Sequence, residues 1–272
     1  MARLVRDGVA LGYEEAGHGD PALIFVHGVA CHRGFWQPQL DRFARDHRVV
    51  AVDLRGHGES DAPHQPYTMP AFADDLAWMS RQLEVSRPVV VGHSLGGLVA
   101  LELAAAYPDC PRAVVLIDSV LLPADNRPEV VHDLVDGLRG ADAVGALRRY
   151  FELFFSPYDD PGRKAWILDA AARTPPHVAS SVWQESTGWD DAAALAECAV
   201  PLLYLDAGTP NANLSRALEL KPKMVIGKTV GSGHFSQLEV PDQVNAMLSR
   251  FFGIWVPADC GRCQNRSGGA MR

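Results

Sequence analysis

The stretch Val89-Val-Val-Gly92-His-Ser94-Leu-Gly96-Gly97-Leu-Val-Ala-Leu-Glu102 decides the fold. Three β-branched residues make a short strand buried on both faces. Leu95 and the apolar residues after it make a helix. Between them lies Gly-x-Ser-x-Gly. A serine on so sharp a strand-to-helix turn needs small neighbours two positions either side, because the backbone must pass close to itself. The turn then lifts the hydroxyl above the sheet, next to the partial positive charge of the helix N-terminus. Ser94 is therefore the candidate nucleophile.

Working outward, similar apolar runs recur: Pro21-Ala-Leu-Ile-Phe-Val26, Arg48-Val-Val-Ala-Val-Asp53, Arg112-Ala-Val-Val-Leu-Ile117, Pro201-Leu-Leu-Tyr-Leu205 and residues 223–230. Strands read as continuous apolar runs when helices cover both faces of a parallel sheet. Helical periodicity fills the intervals at 36–44, 69–83, 95–107, 214–220 and 240–252, so the spacing predicts an α/β fold with a mostly parallel sheet flanked by helices. Residues 121–197 break the alternation. They show helical periodicity, four prolines (Pro157, Pro161, Pro175, Pro176) and Trp166, Trp183 and Trp189, but no strand. The expected organisation is a core of residues 1–120 and 198–252, a helical cap at 121–197 inserted between sheet strands, and a disordered tail at 253–272.

Four motifs in this order resemble the α/β-hydrolase superfamily: Val26-His-Gly28-Val-Ala30, Asp53-Leu-Arg-Gly-His-Gly58-Glu-Ser60, Gly92-His-Ser94-Leu-Gly-Gly97 and Gly231-Ser-Gly-His234-Phe. The resemblance runs over about residues 5–252, with 121–197 in the place of the variable cap. It implies Ser94 as nucleophile and His234 as general base, and it says little about substrate. His234 also follows the last strand on a Gly-Ser-Gly loop, at the sheet edge where open α/β folds bind ligands. An oxyanion hole is expected from the backbone N–H groups of Val29 and Leu95.

The acid departs from the commonest family pattern. The segment resembling Gly-x-x-Asp reads Gly208-Thr-Pro-Asn211 here, and an amide cannot stabilise an imidazolium as a carboxylate does. Asp118 ends the strand next to the nucleophile strand and is the preferred replacement. Zearalenone-lactone hydrolases and some cofactor-free quinolone dioxygenases are similar in placing the acid there. Asp206 is the alternative acid. The expected activity is a serine hydrolase of a small to medium ester or lactone, or of a diketone C–C bond. Two alternatives stay open: a cofactor-independent oxygenase, and a hydrolase-like ligand sensor acting through a partner protein.

Composition bounds the rest. Forty-seven per cent of residues are apolar and 21% charged, enough for a large core and too apolar for a disordered chain. A net charge of −8 with no basic stretch disfavours nucleic acid. Cys31, Cys110, Cys198, Cys260 and Cys263 are an odd, scattered set unlike a secreted disulfide framework, and Cys260-Gly-Arg-Cys263 lacks a second ligand pair. With no apolar leader in residues 1–12, the expectation is a cytoplasmic enzyme acting on a small carbonyl compound, away from membranes, with no metal and no organic cofactor. The sequence leaves oligomeric state open.

Overall fold

A computed structural model describes residues 2–123, 128–207 and 211–256, the side chains of 128–131 excepted. Eight strands form one sheet: β1 (Ala2–Arg6), β2 (Val9–Ala16), β3 (Leu23–Val26), β4 (Val49–Val52), β5 (Val89–His93), β6 (Ala113–Ile117), β7 (Leu202–Asp206) and β8 (Val225–Lys228). Their order is β1-β2-β4-β3-β5-β6-β7-β8. β1, β2 and β4 pair antiparallel, and every pair from β4 through β8 is parallel.

The apolar runs follow from helices on both faces. Side chains of a strand point alternately to opposite faces. Ile24, Val26, Val50, Val52 and Val90 belong to one buried cluster, and Leu23, Phe25, Val49, Ala51, Val89 and Val91 to the other. α2 (Met69–Gln82) and α3 (Leu95–Ala106) cover the first face. α1 (Gln37–Phe43), which follows a short 3₁₀ turn, and α11 (Pro241–Trp255) cover the second. α3 is apolar nearly all round because it is enclosed between the sheet, α2 and α8.

Between β6 and β7 the described residues form five helices: α4 (Pro128–Arg139), α5 (Ala143–Glu152), α6 (Pro161–Ala171), α7 (Pro176–Thr187) and α8 (Asp191–Glu197). α9 (Leu214–Leu220) joins β7 to β8, and a single-turn α10 (Ser236–Glu239) precedes α11.

Two boundaries differ from the sequence expectation. The β1–β2 hairpin was not expected, because its arginines and glutamates interrupt any apolar run. Its signal was the Asp7-Gly8 pair, whose φ angles of 50° and 80° suit the tight turn. At the other end, a disordered tail beginning at residue 253 is corrected: α11 continues through Trp255, and Val256 is buried beside Phe252 on the second face. The rest of that tail, with Cys260 and Cys263, lies outside the described residues. Cys31, Cys110 and Cys198 are free thiols. Among the described residues no helix is long and apolar enough to cross a membrane.

Candidate active site

Ser94 follows β5 and precedes Leu95, the first residue of α3. Its backbone is at φ 51°, ψ −119°, a region that costs a non-glycine residue about 1–3 kcal/mol and persists only where the surroundings impose it. Those surroundings are visible. The Ser94 N–H donates to Ile117 O at 2.9 Å, and the Gly97 N–H to Ser94 O at 3.0 Å. A Cβ on Gly92 would stand 2.1 Å from Gly96 O, and one on Gly96 the same distance from Val26 O. Small neighbours are thus a steric requirement of this turn.

The loop after β3 lies against the serine. A Cβ on Gly28 would be 3.2 Å from Ser94 Cβ. The loop is held from below by His27, whose Nδ1–H donates to Gly28 O at 2.7 Å while Nε2 accepts the Leu54 N–H at 3.0 Å. That pattern requires a neutral imidazole, and burial, reinforced by neighbouring His57, pushes His27 down to about 3. Ala30, at φ 54°, turns the loop back, and Cys31 N–H closes on Gly28 O. Leu95 opens α3, so its N–H has no acceptor within the helix.

His234 sits between β8 and α10, anchored on several sides. Its Nδ1 meets Asp118 Oδ2 at 2.6 Å, with His234 and Asp118 both buried. Its carbonyl accepts the Nε2–H of His93 at 2.9 Å, its N–H donates to Phe154 O at 3.3 Å, and its ring stacks on Phe154 at 4.4 Å. Glu239, on α10, receives the N–H groups of Gly233 (2.6 Å) and Phe235 (3.1 Å) and so clamps the loop on both sides of the histidine. Burial raises its carboxyl above the usual range. Nothing in the sequence marks Glu239 out, since its partners are backbone groups. Burial first, and then His234, pushes His93 well below its ordinary value, consistent with a neutral donor.

Asp118 stands just past β6, beside β5 in the sheet. Its N–H donates to Leu205 O at 2.8 Å, and Tyr204 donates its hydroxyl to Ser119 O at 2.7 Å, fixing the turn. Asp206, the other acid considered, is brought to a different place. Its Oδ2 pairs with Lys228 Nζ at 2.7 Å, across from β7 to β8, and the carboxylate that reaches His234 Nδ1 is Asp118. Asn211 lies beside Asp118, donating Nδ2–H to the same Oδ2 at 2.7 Å.

Val29, Ser94, His234, Phe151, Phe154 and Phe235 line one crevice too tight to admit a water-sized sphere. It is well below the usual volume of a ligand pocket. The aromatic walls are phenylalanines, two of them from α5 and the α5–α6 connection. The tryptophans do other work: Trp36 packs on Phe25 beneath the sheet, Trp166 on Phe35, Trp183 on Tyr150, and Trp189 donates to Glu102. A larger cavity of about 380 Å³ opens beyond Cys31, under the α6–α7 turn, and includes none of Ser94, His234 or Asp118. The Asp53–Gly58 loop is a scaffold. Asp53 is fully engaged by Arg33 and by the Glu59 N–H. Among the described residues no His/Cys/Asp/Glu group has metal-site geometry.

Residues 21–165 match the family model for the alpha/beta hydrolase fold. The chain is 39% identical over 110 residues to 2-(acetamidomethylene)succinate hydrolase of Mesorhizobium japonicum, covering 40% of this chain and 39% of that relative, so the match spans about two fifths of its length. Among solved structures, the enol-lactonase of Burkholderia xenovorans LB400 superposes with a TM-score of 0.83 at 22% identity, over 93% of this chain and all of that one. A Burkholderia cenocepacia protein assigned as an aryl esterase gives 0.77 at 30% identity, over 91% and 95%. A family model covering more than half the sequence, on a sheet of this order, places the chain in the α/β-hydrolase fold family.

Proposed function

We propose that the protein is a serine hydrolase acting on a small to medium ester or lactone. The observation that carries this reading is the buried His234 Nδ1–Asp118 Oδ2 bond of 2.6 Å, made by a histidine that lines the same cavity as Ser94. Asp118 holds the imidazole with Nδ1 protonated, leaving Nε2 as the base. Ser94 Oγ attacks the substrate carbonyl carbon while its proton passes to His234 Nε2. The carbonyl π pair moves to oxygen, and the backbone N–H groups of Val29 and Leu95 stabilise that oxyanion. The oxyanion collapses, the carbon–oxygen bond breaks, and His234 returns the proton to the departing alkoxide. Water, deprotonated by His234, then releases the acyl group from Ser94.

The relatives support hydrolysis as the reaction class. They include an assigned aryl esterase and a 2-(acetamidomethylene)succinate hydrolase. The phenylalanine walls favour an apolar acyl group. A fluorophosphonate probe is expected to label the wild-type protein at Ser94, and Ser94→Ala to abolish labelling. Undiminished labelling of that variant would remove Ser94 from the mechanism. A panel of ester, lactone and diketone substrates read by mass spectrometry assigns the bond cleaved. Oxygen uptake without ester cleavage would hand the His–Asp pair to the cofactor-free oxygenase reading instead.

A further inference from the structure

The residue at position 211 is an amide where the commonest family pattern has a carboxylate, yet it has not left the site. Asn211 is buried, with its Nδ2 2.7 Å from Asp118 Oδ2 and 3.4 Å from His234 Nδ1. Only the N–H end of an amide can face a carboxylate in this way. Two donors, the imidazole and the amide, therefore converge on one oxygen of Asp118. Asp118 Oδ1 is buried and makes no hydrogen bond among the described residues, so the orientation of the carboxylate is set at Oδ2.

The backbone keeps the two positions together. Leu121 and Ala212 form a parallel bridge, and the Asn213 N–H donates to Leu121 O at 3.0 Å. The segment after β7 is thereby stitched to the segment after β6, one residue from Asn211 and three from Asp118. The link fixes the relative position of the two backbone segments that carry these side chains.

We infer that Asn211 is a positioning residue that aims Asp118 Oδ2 at His234, and that position 211 remains a competent seat for the acid itself. A carboxylate there has its oxygen about where the Asn211 Nδ2 now stands, one small torsional adjustment from His234 Nδ1. Exchanging the two groups, Asp118→Asn with Asn211→Asp, keeps side-chain volume, keeps one carboxylate and one amide, and preserves a donor–acceptor contact between them. Introducing Asn211→Asp alone is different in kind. It sets two carboxylates within contact distance, where like charges cannot both ionise and must share a proton.

The inference rests on the serine-hydrolase reading for its kinetic consequence but not for its geometry, so two readouts are taken. The first is the rate of fluorophosphonate labelling, alongside kcat and KM on an ester that the wild type cleaves. Asp118→Asn is expected to lower the labelling rate and kcat by roughly 10⁴-fold. The exchanged double variant is expected to recover at least about 10-fold over Asp118→Asn. Asn211→Ala is expected to lower kcat by about 10-fold with KM unchanged, the loss of one hydrogen bond to a charged group. The second readout is the downfield proton resonance of His234 Nδ1–H, which reads the acid–imidazole bond whether or not anything is hydrolysed. It should vanish in Asp118→Asn and return in the double variant.

A folded double variant that labels no faster than Asp118→Asn and lacks the resonance overturns the inference. So does an Asn211→Ala protein with wild-type kcat and an unchanged resonance. Should no variant, wild type included, be labelled while the resonance still vanishes and returns as stated, the hydrolase reading fails and the positioning role stands.

Discussion

Lowering the pH from about 7.5 to about 5 is expected to cost the fold about 4 kcal/mol through two histidines that the mechanism never protonates. His27 and His57 lie ring to ring beneath the Gly28 loop, 5.2 Å apart, both fully enclosed. Burial, first among the causes, takes His57 down to about 4 and His27 to about 3. Their unfolded forms titrate near 6.5, so below that pH the unfolded chain binds protons that the folded chain refuses. Stability is then fully present above about 6.5 and is lost as the pH falls toward the folded values. Each histidine contributes about 1.4 kcal/mol per pH unit below 6.5, or about 2 kcal/mol at pH 5. His93, also pushed down by burial, acts in the same direction. Glu239 and Asp191, raised by burial, act in the opposite one. Urea denaturation at the two pH values measures the sum, and His57→Gln isolates one part, because every other group is common to both proteins. Its pH-dependent loss should be smaller than the wild type's by about 2 kcal/mol. Equal losses in the two proteins would refute the neutral, buried imidazole at position 57.

Three further outcomes follow from the geometry. Asp206→Asn should leave kcat within a few-fold and cost less than about 1 kcal/mol, since its partner Lys228 is largely solvent-exposed; a collapse of kcat matching that of Asp118→Asn would return the acid role to Asp206. Phe154→Ala should widen the cavity and raise kcat/KM for long-chain relative to acetyl esters, whereas an unchanged ratio would mean that Phe154 does not bound the acyl site. A chain ending at Phe252 should be less stable than one ending at Val256 by about 1.5–3 kcal/mol for loss of the buried valine; identical melting of the two would show that Val256 contributes nothing.

How much of this was legible in the sequence depended on whether a residue's constraint is local. The turn at Ser94 is dictated by residues within two positions of it, so Gly92 and Gly96 announce it. The parallel strands are announced by burial on both faces, which leaves an uninterrupted apolar run. Asp118 was reachable because the order of strands brings the end of β6 beside the end of β5. The supporting residues were not reachable in this way. Asn211 meets Asp118 across 93 positions of chain, and Glu239 serves two backbone N–H groups, for which any acceptor of suitable length leaves the same sequence trace. The walls of the cavity were not legible for a related reason. Tryptophan is the largest side chain in the 121–197 segment, but which aromatic faces the serine is fixed by how α5 meets the histidine loop. That contact favours Phe151 and Phe154.

The bond from the His234 N–H to the Phe154 carbonyl ties the cover of the cavity to its base. Phe154 also stacks on the imidazole, so any outward swing of residues 153–156 removes two anchors from His234 at once. Asp118 and the Glu239 clamp on the histidine loop would still hold the ring, so the roof trims the aim of the imidazole without being its sole support.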